Sequence, residues 1–283
     1  MPPRRTPTAR QERLGAELRK MREAAGLKAT ETANLLGVNS VQISQIESGI
    51  AGVSEERLRR LAAHYACHDE ELIAALVTMA TGRTRGWWEE YRGSLPHAFL
   101  DLAELEHHAS FRWDVDFLHV PGMLQTADYA RALFSYVNPQ FSDEEIQRWV
   151  DHRIRRRVII EQPQPTPYEA VIHEAALRIK ALDSAGMRTQ LAHILSLAAS
   201  DHVTVRVVPF AVDNFAGAGT AMVYAGGPVP KLDTVVRDTP HGTVFIDAEA
   251  QLGHFRTLFR RVEAVAFEPR RSRDFIHRLT KEL

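Results

Sequence analysis

Three things are scarce in this chain of 283 residues, and each scarcity removes a class of protein. Cys67 is the single cysteine, so no disulfide can close within the chain, and a reducing, cytoplasmic setting is expected. No apolar run approaches the roughly 20 residues that a membrane-spanning helix needs, so no membrane association is expected. Charge of one sign is missing too. Lysine and arginine total 35 against 36 aspartates and glutamates, a net of -1, which excludes a uniformly basic surface but hides any local patch.

Chemical motifs are equally sparse. The chain has no GxSxG elbow, no phosphate-binding glycine loop, no HExxH and no paired cysteines. His64, Cys67 and His68 lie close together, yet a structural zinc site takes four ligands and no second pair stands nearby. His173 with Glu174, Asp201 with His202 and Asp213 with Asn214 are acid and base neighbours, but adjacent residues project in different directions from a strand or helix. The expectation is a chain with no catalytic residues, no metal and no cofactor.

What is present is an ordinary globular composition, 45% hydrophobic and 25% charged, on a chain long enough for a small domain followed by a larger one. Residues 1–10, MPPRRTPTAR, are basic without the apolar core of an export signal and read as a flexible arm. From Gln11 to Ala25, Leu14, Leu18 and Met21 form the stripe of an amphipathic helix that Gly26 ends. A short helix from Ala29 to Leu36 and a turn at Gly37 follow. Asn39 or Ser40 then caps a helix that runs through Ile46 to Ser48 and stops at Gly49.

That order is a helix-turn-helix. With Ile43 and Ile46 turned inward, Asn39, Ser40, Val41, Gln42 and Gln45 are left to face DNA. A glutamine amide pairs bidentately with adenine and Val41 suits a thymine methyl. Phosphate contacts are expected from the surrounding excess of cations, Lys28 and Arg10 above all. Ser54 and Asp69 each head a further helix with acidic first turns. Arg22 and Glu47 read as an ion pair bracing the first helix on the third, a pair worth little if exposed.

The helix pattern, the spacing from Gly37 to Glu47 and Gly49, and the Arg22–Glu47 pair resemble the lambda-repressor-like, or XRE-type, DNA-binding domain over residues 11–80. The chain departs from that family at Ala29, where a phosphate-holding glutamine is common, and at Thr32, where an aliphatic residue is.

Residues 81–86 read as a linker, and 87–283 as a regulatory domain that binds a ligand or partner. A helix is expected between Leu95 and Ala109. Trp113, Val115 and Phe117 alternate with Arg112, Asp114 and Asp116, the period of a half-buried strand. Thr126 and Ser142 cap two more helices. The second carries Arg148, Arg153, Arg155, Arg156 and Arg157, a basic side suited to DNA backbone or an acidic partner, or else solvated and paired with Asp151 and Glu161. YEAVIH, Val203 to Val208, Thr220 to Tyr224, Thr234 to Arg237 and Thr243 to Ile246 read as strands. The glycines of NFAGAG and AGGP, between Asn214 and Pro228, lie between strands without a following helix and read as a mobile loop, and two amphipathic helices close the chain. The fold class is therefore α+β, an all-α helix-turn-helix domain before a larger mixed domain with a small sheet flanked by helices.

Trp87, Trp88, Tyr91, Glu106, Ala109, the segment VPGMLQT from Val120 to Thr126, Tyr129 to Arg131, and HEAALR from His173 to Arg178 resemble the actinobacterial WhiJ-like regulators. Met123 replaces a usual leucine and His173 a usual aspartate. The resemblance implies an antitoxin-like regulator whose larger domain, of unassigned function, binds a short protein encoded nearby. The motif's half-site logic adds a homodimer on a double-stranded operator. The alternative is a small-molecule sensor with an effector pocket lined by Trp87, Trp88, Trp113, Phe117 and Gln125.

Overall fold

The computed structural model describes residues 6–82, 86–213, 215, 221–239 and 242–283. Asn214, residues 216–220, half of the linker and half of the basic arm lie outside the described residues. Packing divides the chain into two compact units, one of residues 1–92 with 97–104, the other of residues 93–96 with 105–283.

The first unit is helical: α1 (Ala9–Ala24), α2 (Ala29–Leu36), α3 (Ser40–Glu47), α4 (Glu55–His64) and α5 (Glu70–Thr81), then a 3-10 turn (Trp87–Tyr91) and the first two turns of α6 (His97–His108). It takes in more chain than the 11–80 domain read from the sequence. Local chemistry sets the helix ends. Thr8 caps α1 reciprocally with Gln11, Ser54 caps α4 at the amide of Arg57, and Asp69 caps α5 at that of Leu72. Gly26, Gly37 and Gly49 follow three helices with φ of 71°, 67° and 74°, the left-handed region that lacks a Cβ penalty only for glycine. Leu14, Leu18, Ala33, Ile43, Ile46, Leu58, Leu61, Leu72, Ile73 and Leu76 are buried in this unit.

The second unit is a mixed sheet between helical layers. Along the chain it runs β1 (Phe111–Asp116), α7 (Ala127–Val137), α8 (Asp143–Arg155), α9 (Val158–Glu161), β2 (Tyr168–His173), α10 (Glu174–Arg178), α11 (Ser184–Leu197) and β3 (Val203–Val208). Then come β4 (Met222–Gly226), β5 (Thr234–Thr239), β6 (Gly242–Ile246), α12 (Glu249–Val265) and α13 (Pro269–Glu282). The spatial order is β3-β2-β1-β4-β5-β6. The helical crossovers make β1, β2 and β3 parallel, and β4, β5 and β6 add antiparallel. Tyr168, Ala170, Ile172, Val203, Val205 and Val207 pack under Leu124, Tyr129, Leu177, Leu191, Ile194, Ile276 and Leu279. The other face packs Val115, Val171, Tyr224 and Val235 against Leu252, Phe255, Phe259 and Val262 of α12. The mixed α+β class is observed.

The half-buried reading of β1 needs correction. The strand lies inside the sheet, and Arg112 and Asp114 are only 1% and 2% exposed. Their charges face inward because partners meet them there: Arg112 Nε and Nη2 donate to the two oxygens of Asp114 at 2.8 Å, and Tyr168 Oη donates to Asp114 at 2.9 Å. Among the described residues no helix is long and apolar enough to cross a membrane.

Candidate nucleic-acid interface

The turn between α2 and α3 begins with Gly37, where the chain reverses at φ 67°, and Val38 N–H closes it on Ala33 carbonyl at 2.9 Å. Asn39 then caps α3, its side-chain oxygen accepting from Gln42 N–H at 2.8 Å. One side of α3 is sealed, with Ile43 2% and Ile46 4% exposed. The other presents Val41, 61% exposed, with Ser44 and Asn39 exposed and Ser40, Gln42 and Gln45 half-exposed. The sequence-derived residues therefore lie together on the solvent side of one short helix. Exposed Leu35 and Ile50, on α2 and just after α3, add apolar surface that an inward-looking periodicity did not single out.

Close packing fixes where α3 stands on α1. A Cβ built on Gly15 would lie 2.5 Å from Glu47 carbonyl oxygen, and one on Gly49 2.8 Å from the backbone of Gln11 and Glu12. Only glycine lets these backbones meet. Arg22 then grips Glu47 with two hydrogen bonds and Leu27 carbonyl with a third.

The basic excess of the first unit is largely spent inside it. Arg13 pairs with Glu17, which also holds Lys20, and Arg19 pairs with Glu23. Arg10 is half-buried; burial lowers its pKa and the charge of Glu104 partly offsets this. Lys28 is exposed at the start of α2 and forms no ion pair among the described residues. Arg57 and Arg60 on α4 are also without an ion pair, and their outward direction was not legible in the run EERLRRL. Arg4 and Arg5 lie outside the described residues.

The four aromatic residues expected to line one pocket divide between the units. Trp87 meets Trp88 and Tyr91 edge-on in the first unit, with Trp88 buried. In the second, Trp113 stacks on Phe259 at 4.6 Å and lies 5.0 Å from Tyr224, partly buried against the core. Phe117 joins His173 and Phe215 at the carboxyl ends of β1 and β2, where Phe210 is 5.1 Å from His173 and 60% exposed. His173 Nδ1 accepts from Ala175 N–H, and Glu174 binds Arg178 and Phe210 N–H, so the two acid–base neighbours engage different partners.

Gln125 proves to be a fastening. Its Nε2 donates to Val120 carbonyl at 2.7 Å and its Oε1 accepts from Arg153 at 3.0 Å, while Gln190 holds Leu124 carbonyl and Thr126. The VPGMLQT segment is thus pinned from within. The basic side of α8 is also partly internal. Arg156 is 4% exposed and donates to Glu106, which Arg112 reaches as well, and Arg153 lies over Phe134. Burial, with the neighbouring Arg156 charge, pushes the Arg153 guanidinium down to about 9.

Two family models match the chain: one described as a helix-turn-helix domain, over residues 13–76, and one described as Domain of unknown function (DUF5753), over residues 99–278. No curated protein and no solved structure matches it.

Proposed function

The chain belongs to the DUF5753 family and carries a helix-turn-helix domain ahead of it, and we propose that it is a sequence-specific transcriptional regulator of the XRE type, acting as a cytoplasmic homodimer. The observation that carries this reading is the outer face of α3, where Val41, Gln42 and Gln45 stand clear of a sealed inner face. Exposed Lys28, at the start of α2, supplies a cation for phosphate. The larger domain acts by binding rather than catalysis. As the WhiJ-like resemblance implies, its partner is a short protein encoded nearby, in an antitoxin-like arrangement. Exposed Tyr136 and Val137 at the end of α7 support a protein contact there.

The test is an electrophoretic mobility shift with DNA flanking the gene. Wild-type protein is expected to prefer that duplex over a scrambled one, and Gln45→Ala to erase the preference. Equal affinity for both duplexes together with an unchanged Gln45→Ala variant would remove the reading helix from the account.

A second reading is favoured by the rings at the carboxyl ends of β1 and β2, the end of a parallel sheet where ligands commonly bind. There Phe117, His173, Phe210 and Phe215 would enclose a small effector. Native mass spectrometry of the purified chain separates the two, a co-purified metabolite favouring the sensor and a co-purified short polypeptide the antitoxin-like complex.

A further inference from the structure

The last helix carries a charge pattern that folding does not explain. On α13 the apolar side is sealed by Ile276 and Leu279, with Ser272 buried and donating to Phe267 carbonyl and accepting from Val207 N–H. The opposite side displays Arg270, Arg271, Arg273, Arg278 and Lys281. At 3.6 residues per turn these five side chains share one outward arc. Asp274 is the lone carboxylate in its middle.

None of the five forms an ion pair among the described residues. Several other surface cations of this chain are answered by acids, Arg59 by Glu55, Arg92 by Glu89, Arg178 by Glu174 and Glu282, although Lys28, Arg57 and Arg60 are not. Arg271 lies over the Phe267 ring at 3.9 Å and Arg278 over Phe275 at 5.7 Å, which orders their stems and leaves the guanidinium edges outward.

The face also opposes helix electrostatics. The first turns of α4, α5 and α8 carry Glu55 and Glu56, Glu70 and Glu71, and Asp143, Glu144 and Glu145. The first turn of α13 has no acid and carries Arg270 and Arg271 after Pro269, while the N-cap residue Glu268 is paired with Arg206, although cations at that end meet the positive pole of the backbone dipole. Like charges three and four apart on a helix repel. A surface that is unfavourable to the free fold becomes favourable when a polyanion covers it.

We propose that this face of α13 is a second, sequence-independent DNA contact, which binds the phosphate backbone of duplex DNA while α3 reads bases. The inference rests on the DNA-binding reading of the first unit. It adds that the DUF5753 domain itself contributes affinity through counterion release.

The test measures binding of the full chain to a labelled duplex of gene-flanking sequence, and to a scrambled duplex, across roughly 50 to 200 mM salt. A variant with Arg270→Gln, Arg271→Gln and Arg273→Gln is expected to lose about tenfold or more in affinity for both duplexes equally. Its slope of log affinity against log salt should be shallower by roughly 2 to 3, at about 0.9 per phosphate contact. Asp274→Lys, which adds a cation and removes none, should strengthen binding and steepen the slope. Slopes indistinguishable among wild type and both variants overturn the proposal. So does a triple variant that keeps its DNA affinity but loses binding to polyglutamate, which assigns the face to an acidic protein. If wild type shows no preference between duplexes while the triple variant loses affinity for both, operator reading fails and this inference stands. If wild type binds neither duplex, both fail.

Discussion

Arg22 and Glu47, 25 residues apart, form a buried bidentate pair: Nε donates to Oε1 at 2.6 Å and Nη2 to Oε2 at 2.9 Å. Each side chain is 10% exposed. The third donor, Nη1, is taken by Leu27 carbonyl at 2.7 Å, so one guanidinium ties the end of α1, the start of the α2 segment and the end of α3. The hydrogen bonds to Glu47 hold the Arg22 pKa above its ordinary value. An exposed pair would contribute little, and burial is what changes its weight.

Removing one partner leaves the other charge without its counterpart. Glu47→Leu is expected to destabilise the first unit by about 3–5 kcal/mol, read as faster native-state hydrogen exchange at the Ile43 and Ile46 amides. Arg22→Met combined with Glu47→Leu should recover most of the loss. A single variant within about 0.5 kcal/mol of wild type, the range of ordinary surface changes, would show that the pair does not brace α3.

Gly15 and Gly37 are both glycine for different reasons, and alanine should separate them. At Gly15 the new Cβ meets Glu47 carbonyl oxygen, so Gly15→Ala costs about 1–3 kcal/mol by overpacking and shifts α3. Gly37→Ala meets nothing within 4 Å and incurs only the left-handed backbone cost of about 1–2 kcal/mol. Amide chemical shifts along α3 should move in the first variant and stay in the second, with operator affinity following the same split.

Lys28 and Arg10 are both cations of the first unit, but only Lys28 is exposed. Lys28→Gln is expected to weaken binding to all duplexes uniformly and to reduce the salt slope by about 1. Arg10→Gln should leave the slope alone, since its guanidinium is withdrawn from solvent and already feels the charge of Glu104. A slope that drops equally in both variants would put Arg10 back among the phosphate contacts.

The second unit holds two groups of opposite pH behaviour. Burial, then the charge of Asp114, pushes the Asp116 carboxyl up to about 7, while burial and the Arg156 charge bring His152 down to about 3. For Asp116 the folded state binds more protons than the unfolded state between about pH 4 and 7, so its contribution is lost as pH rises through that window. His152 acts the other way: the unfolded imidazole takes the proton first, and stability is lost as pH falls from about 6.5 toward 3. Urea unfolding across that range should therefore show Asp116→Asn gaining on wild type as pH rises toward 7. A constant difference from pH 4 to 8 would rule this out.

Much of the local structure was legible. Thr126 and Ser142 do cap α7 and α8, YEAVIH and Val203 to Val208 are β2 and β3 residue for residue, and Asn39 is the cap of α3. Such features depend on a few neighbouring side chains, which a linear reading sees. The solvent side of α3 was legible for the same reason, because α3 is eight residues long and its buried positions are unambiguous.

What failed to show depended on distant partners. Arg112 and Asp114 read as solvent-facing because alternation marks a strand with one wet face, a rule that β1 breaks by lying inside a sheet covered on both sides. Arg156 read as outward until Glu106, 50 residues away, received it. Trp87 and Trp88 read as the start of the second domain, yet pack in the first unit.

The sequence by itself determined the helix-turn-helix, the capped helices, the strands and the solvent side of α3, since hydrophobic period and capping are short-range energetics. Only the tertiary structure decided which charges are inside, which arginines of α8 are spoken for, and that five cations of α13 share one outward face without an ion pair among the described residues. Burying or exposing a charge is settled by whether an opposite charge from elsewhere in the chain reaches it, and that is a property of the fold.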